Sequence, residues 1–130
     1  MIRILLVDEN PYVVDALRTL VDVFPGLTVA AHAASGEAAL TLLPELEVDI
    51  ALIDLALPTM NGIDTIAAAC RIRPDVPCVI LSAHNERNYV QRALAAGARG
   101  YITKESPLDI VTGIERVMAG EIYLSEELRG

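Results

Sequence analysis

Short apolar runs alternate with amphipathic stretches along the whole chain, and the alternation predicts five strand–helix units. The runs Ile2 to Val7, Leu27 to Ala31, Asp49 to Ile53, Cys78 to Leu81 and Gly100 to Thr103 read as strands. Runs that stay apolar without alternating suit strands covered on both faces of a parallel sheet. Asn10 is placed to cap the first helix, with Pro11 at its first position and Val14, Leu17, Leu20 and Val21 on its apolar side. Pro25-Gly26 ends it. Ser35 begins a second helix, which turns Ala38, Ala39, Leu42 and Leu43 inward and stops at Pro44. A third runs from about Ile63 to Ile72. Asn85 is expected to cap a fourth, carrying Tyr89, Val90, Ala93 and Leu94, with Gly97 as its C-terminal glycine. Ser106 caps the fifth, Pro107 takes its first position and Asp109 completes a weak capping box. Ile110, Ile114, Val117 and Met118 carry that helix to Gly120.

Five such units joined by short loops specify an α/β fold with a doubly wound five-stranded parallel sheet. The expected order is 2-1-3-4-5, the flavodoxin-like arrangement, in which strands one and three flank the switch point. At 130 residues the chain is expected to be one domain over 1–120, with 121–130 as the start of a linker.

Composition narrows the function. Apolar residues make up 53% and aromatics only 4%, which suits an aliphatic core. Every apolar run is interrupted well short of the roughly 18 residues of a membrane span. The first residues run directly into a strand, without a cleavable signal pattern. Cys70 and Cys78 lack metal-ligand spacing and read as free thiols of a reducing, cytoplasmic setting. A net charge of −8 argues against nucleic-acid binding by this domain alone.

The chemistry gathers at the carboxyl ends of the strands. Asp54 interrupts an apolar run, and a carboxylate there costs several kcal/mol, roughly, unless a positive group meets it. Asp8 and Glu9 end the first strand, Ser82 the fourth and Lys104 the fifth. Three acids and a lysine around one sheet edge describe a Mg²⁺ and phosphoryl site. Asp54 could ligate metal and attack phosphorus, Lys104 could neutralise phosphoryl oxygens, and Ser82 could donate a hydrogen bond. Each residue also has a plainer reading. The acids could favour a helix N-terminus, Ser82 could cap a helix, Lys104 could be solvated and Tyr101 could be core. His32 and His84 read as solvated loop residues.

The motifs LLVDEN, LIDLALPTMNGID, VILSAHN and GARGYITK resemble those of receiver domains of bacterial two-component response regulators, over essentially the whole chain. The tail after Pro107 is similar to the NarL/LuxR subfamily of transcription regulators. The resemblance implies that Asp54 accepts a phosphoryl group from a sensor histidine kinase, with Lys104 as the attendant cation. Asp8, Glu9, Asp54 and the backbone carbonyl of Ala56 would hold Mg²⁺, and Ser82 and Tyr101 would switch conformation. It further implies a cytoplasmic phosphoprotein rather than an enzyme, a homodimer on phosphorylation, and a DNA-binding output domain beyond Gly130. A stand-alone receiver acting through protein contacts is the alternative. A Mg²⁺-dependent phosphatase with an aspartyl nucleophile would want a second Asp where Ala56 stands. A flavodoxin would want a neutral phosphate loop where Asp8 and Glu9 stand. Glu9 departs from a commoner Asp, and Glu105 from a commoner proline.

Overall fold

Strand β1 (Ile2–Val7) shows how the sheet sorts the apolar residues. Neighbouring side chains of a strand point to opposite faces. Ile4 and Leu6 join one buried cluster while Leu5 and Val7 join the other. The same parity runs through β3 (Ile50–Asp54), β4 (Cys78–Ser82) and β5 (Gly100–Thr103), where Tyr101 and Ile102 part company. Helices α1 (Pro11–Asp22) and α5 (Pro107–Met118) cover the Ile4 face with Val14, Leu17, Ile110 and Ile114. The Leu5 face is covered by α2 (Gly36–Leu42), α3 (Gly62–Ile72) and α4 (Arg87–Ala96) through Ala39, Ile66, Ala69 and Val90.

The computed structural model describes residues 1–83 and 87–129. Within it the expected order appears with one addition: β2 (Leu27–Ala33), β1, β3, β4, β5 and β6 (Tyr123–Leu124) form a six-stranded sheet, every pair parallel. The expected count of five is therefore corrected to six. The extra strand comes from the segment expected to begin a linker. The free edge of β5 offers backbone groups, and the tail takes them: Tyr123 N–H donates to Arg99 O at 3.0 Å and Ser125 N–H to Tyr101 O at 3.1 Å. Ser125 Oγ accepts from Thr103 N–H at 2.9 Å, Thr103 Oγ1 donates to Glu127 Oε1 at 2.7 Å, and Leu128 is buried.

Helix ends follow the sequence signals in most places. Asn10, Ser35 and Asn61 accept from main-chain N–H groups of the first turns of α1, α2 and α3. Gly97 closes α4 at φ 115°, a left-handed conformation that favours glycine. Asn85, expected to cap α4, lies outside the described residues. Ser106 stands at the cap of α5 but makes no side-chain bond there. The capping box expected with Asp109 does not form, because its carboxylate accepts from the hydroxyls of Tyr123 and Ser125, the latter at 2.6 Å. Among the described residues no helix is long and apolar enough to cross a membrane.

Asp109 thus clamps the tail to the sheet. Asp109→Ala should lower stability to urea by about 1.5–3 kcal/mol, as expected for hydrogen bonds to a charged group. Amide exchange should accelerate at Tyr123 to Ser125 more than in β1. Undiminished protection of the tail would mean that strand pairing alone holds it.

Candidate functional site

The sheet order makes β1 and β3 neighbours, in register from Ile4 beside Ile50 to Val7 beside Ile53. That pairing brings the next residues, Asp8 and Asp54, to one mouth of the sheet. Both are largely withdrawn from water, with side chains 5% and 12% exposed. Lys104 reaches over from the end of β5 and lies between them. Its Nζ donates to Asp54 Oδ1 at 3.0 Å and to Asp8 Oδ2 at 3.1 Å. Burial opposes the lysine's charge, but the bonds and attraction of Asp54 and then Asp8 outweigh it, so its pKa is raised. A raised lysine contributes stability that is fully present below its unfolded value and lost only as pH climbs through the folded one. Near neutrality the bridge is complete.

Backbone contacts fix both acids. Asp8 Oδ1 accepts from Asn10 N–H at 2.9 Å, so both of its oxygens are engaged. Behind Asp54, Leu55 N–H donates to Leu81 O at 3.1 Å, and Gly62 N–H donates to Leu55 O at 3.0 Å. Gly62 opens α3 directly against the carbonyl of Asp54, and any side chain there would collide with that oxygen. The acid is held by a helix start that only glycine permits.

The remaining expected residues fall in different places. Ser82 is buried at the end of β4, beside Thr103 in register, and its carbonyl accepts from Lys104 N–H at 3.0 Å. Glu9 is exposed and is not drawn in with the two aspartates. Among the described residues no group of three acidic, histidine or cysteine side chains stands close enough to hold a metal. Ala56 is exposed and borders a cavity of about 250 Å³ together with Asn61, Tyr89 and Arg92. Tyr101 is wholly buried in the cluster that includes Val90, Ala93 and Leu128. His84 lies outside the described residues.

One contributor escaped the sequence. His32, read as a solvated residue, bonds through Nε2 to Asp8 O at 2.9 Å. The signal was available, because the order 2-1-3 sets the end of β2 beside the end of β1, and His32 stands beside Leu6 in register.

The donors suit a hard divalent cation. Two carboxylates already share one positive group, and the exposed Glu9 adjoins them. Asp8 and Asp54 are the two side chains already placed to meet a cation at this mouth.

Comparison with known proteins gives a consistent result. The family model for the response regulator receiver domain matches residues 4–115. The nitrate/nitrite response regulator protein NarL of Escherichia coli is 34% identical over 126 residues, covering 96% of this chain and 58% of NarL. The transcriptional regulatory protein MctR of Rhizobium johnstonii is 34% identical over 125 residues, covering 95% of this chain and 58% of MctR. The chain thus spans less than two thirds of these curated relatives. A LuxR-family two-component response regulator from an Aurantimonas species is 35% identical, with a TM-score of 0.93 over 97% of this chain and 91% of that one.

Lys104→Met keeps much of the stem and removes the charge, leaving two carboxylates facing each other. It should destabilise the metal-free protein by about 1.5–3 kcal/mol. Added Mg²⁺ should then raise Tm more in the variant than in wild type, because the competing ammonium is gone. Equal Tm shifts would mean that the metal and the lysine do not compete for these oxygens.

Proposed function

The chain belongs to the family of response regulator receiver domains, and on that premise we propose that Asp54 is its phosphoryl acceptor. The family makes it a signalling protein of a two-component system. A sensor histidine kinase is the proposed donor, with its phosphohistidine brought to the mouth of the sheet. One oxygen of Asp54 forms the new P–O bond as the P–N bond breaks, and the electron pair returns to the imidazole nitrogen. The observation that carries this reading is the near-buried Asp54 carboxylate, bonded to Lys104 at the carboxyl end of a central strand, where ligands of such sheets bind.

Each neighbour has a part. Lys104 shifts from bridging two acids to neutralising the phosphoryl oxygens. Ser82, one residue past the β4 partner of Asp54, is the hydroxyl available to a phosphoryl oxygen. Mg²⁺ held by Asp8, Asp54, Glu9 and the Ala56 carbonyl would supply the positive charge that lets a dianionic donor approach two carboxylates. Ser82 and Tyr101 remain the proposed switch pair, with the Tyr101 ring starting from the inward position. Beyond this domain, the proposed output is transcription control through a DNA-binding domain and a homodimer formed on phosphorylation. The name of MctR and the length of the relatives favour that output.

Acetyl phosphate with Mg²⁺ should add one phosphoryl group to wild type and none to Asp54→Asn, read by intact mass. Equal labelling of the variant would overturn the assignment, and labelling without Mg²⁺ would remove the metal from it.

Ala56 is exposed two residues past Asp54, and the cavity it borders has room for a longer side chain. Ala56→Met should slow loss of the phosphoryl group several-fold by shielding it from water, measured as decay of labelled protein. An unchanged half-life would relegate position 56 to the surface.

A further inference from the structure

A second constellation lies at the opposite end of the sheet, where β4 begins. Cys78 is its first residue and is buried, while Cys70, in the last turns of α3, is half-buried. The turn between α4 and β5 gathers both. Cys70 Sγ stands 3.8 Å from Gly97 O, and Arg99 N–H donates to Cys78 O at 2.8 Å. Cys78 Sγ–H donates to Val76 O at 3.7 Å. Cys70, Val76, Gly97 and Arg99 all border one cavity of about 390 Å³ that opens to solvent. One sulfur therefore borders an opening to solvent shared with Arg99, and the second is buried on the other side of the same turn.

The electrostatics favour the outer sulfur as the reactive one. The bond from Cys78 foremost, with the positive charge of Arg99 added, outweighs burial and lowers the Cys70 thiol to about 6. Cys78 is pushed up, first by its bond to Cys70 and then by burial. A low-pKa, reachable thiol beside a second cysteine is the arrangement in which a sulfenic acid forms and is then resolved.

We propose that Cys70 and Cys78 are a dithiol modification site, oxidised by peroxide to an internal disulfide. The Cys70 thiolate attacks one peroxide oxygen, the O–O bond breaks, and the departing hydroxide takes a proton to leave as water. The sulfur of Cys78 then attacks that of Cys70. The S–S bond forms, the S–O bond breaks, and the hydroxyl leaves as water with the proton of Cys78. Two thiols give up two electrons and one peroxide receives them. The bond would tie the end of α3 to the start of β4, far from Asp54.

The test treats the reduced 130-residue chain with hydrogen peroxide and reads intact mass without reductant. Wild type should remain monomeric, lose two hydrogens and resist alkylation at both cysteines. Cys70→Ser should give no disulfide. Cys78→Ser keeps a hydroxyl donor but cannot resolve, so oxidation should halt at a sulfenic acid on Cys70 that dimedone traps. Cys78→Ala loses the donor, and alkylation of Cys70 by iodoacetamide at pH 7 should slow by about tenfold. Its half-maximal pH should move up from about 6 toward the ordinary thiol range, while Cys78→Ser stays near wild type. Oxidation of Cys70→Ser at the wild-type rate, a mainly intermolecular disulfide, or identical alkylation profiles in all three proteins would overturn the proposal.

Discussion

A single ammonium group stands between two nearly buried carboxylates, and the upper end of the molecule is arranged around that contact. Two like charges at such proximity in a poorly solvated place repel strongly, and each also loses its hydration. Lys104 answers both costs at once. It can do so because β5 ends two strands away from β3, within reach of a lysine stem. Everything else near the mouth holds this geometry. Asn10 and His32 fix the loop that carries Asp8, and the close approach of Gly62 fixes the backbone of Asp54. Among the described residues no buried side-chain nitrogen or oxygen lacks a partner, so the charges sit in a closed network.

The same sheet keeps its two chemistries apart. Acids and lysine occupy the carboxyl ends of the strands, whereas the thiols occupy the amino end of β4 and the last turns of α3, beside the turn that precedes β5. A parallel sheet makes this separation natural. All of its loops of one kind emerge on one side, so residues at equal depth in different strands meet without sequence proximity. Asp8, Asp54 and Lys104 are strangers in the chain and neighbours in space for this reason alone.

Much of this arrangement was readable in the residues. The strands with unbroken apolar runs, the order of the sheet and the convergence of Asp8, Asp54 and Lys104 follow from pattern and topology. What escaped depends on contacts that no local pattern encodes. Tyr123-Leu124 is too short to show a period, and its strand exists only because β5 leaves an edge and Asp109 supplies a clamp. Whether Glu9 leans inward depends on the turn into α1, and the structure leaves it in solvent. Tyr101 has the same sequence signature as a core tyrosine and as a movable one. His32 looked like an exposed loop residue because its partner is a backbone carbonyl, which a sequence does not advertise.

The parity of β5 bears on how this protein can change over evolutionary time. Tyr101 and Ile102 serve opposite helical layers, and Lys104 projects past the strand end to the acids. Substitutions can retune each of these roles separately. Inserting or deleting one residue between Gly100 and Lys104 would instead exchange every side chain beyond it with the opposite face. A cation would be directed at hydrocarbon, an aromatic ring would meet the wrong helices, and the acid pair would lose its counterion in one step. Length variation within this strand is therefore closed to the lineage, and diversity there must come one side chain at a time.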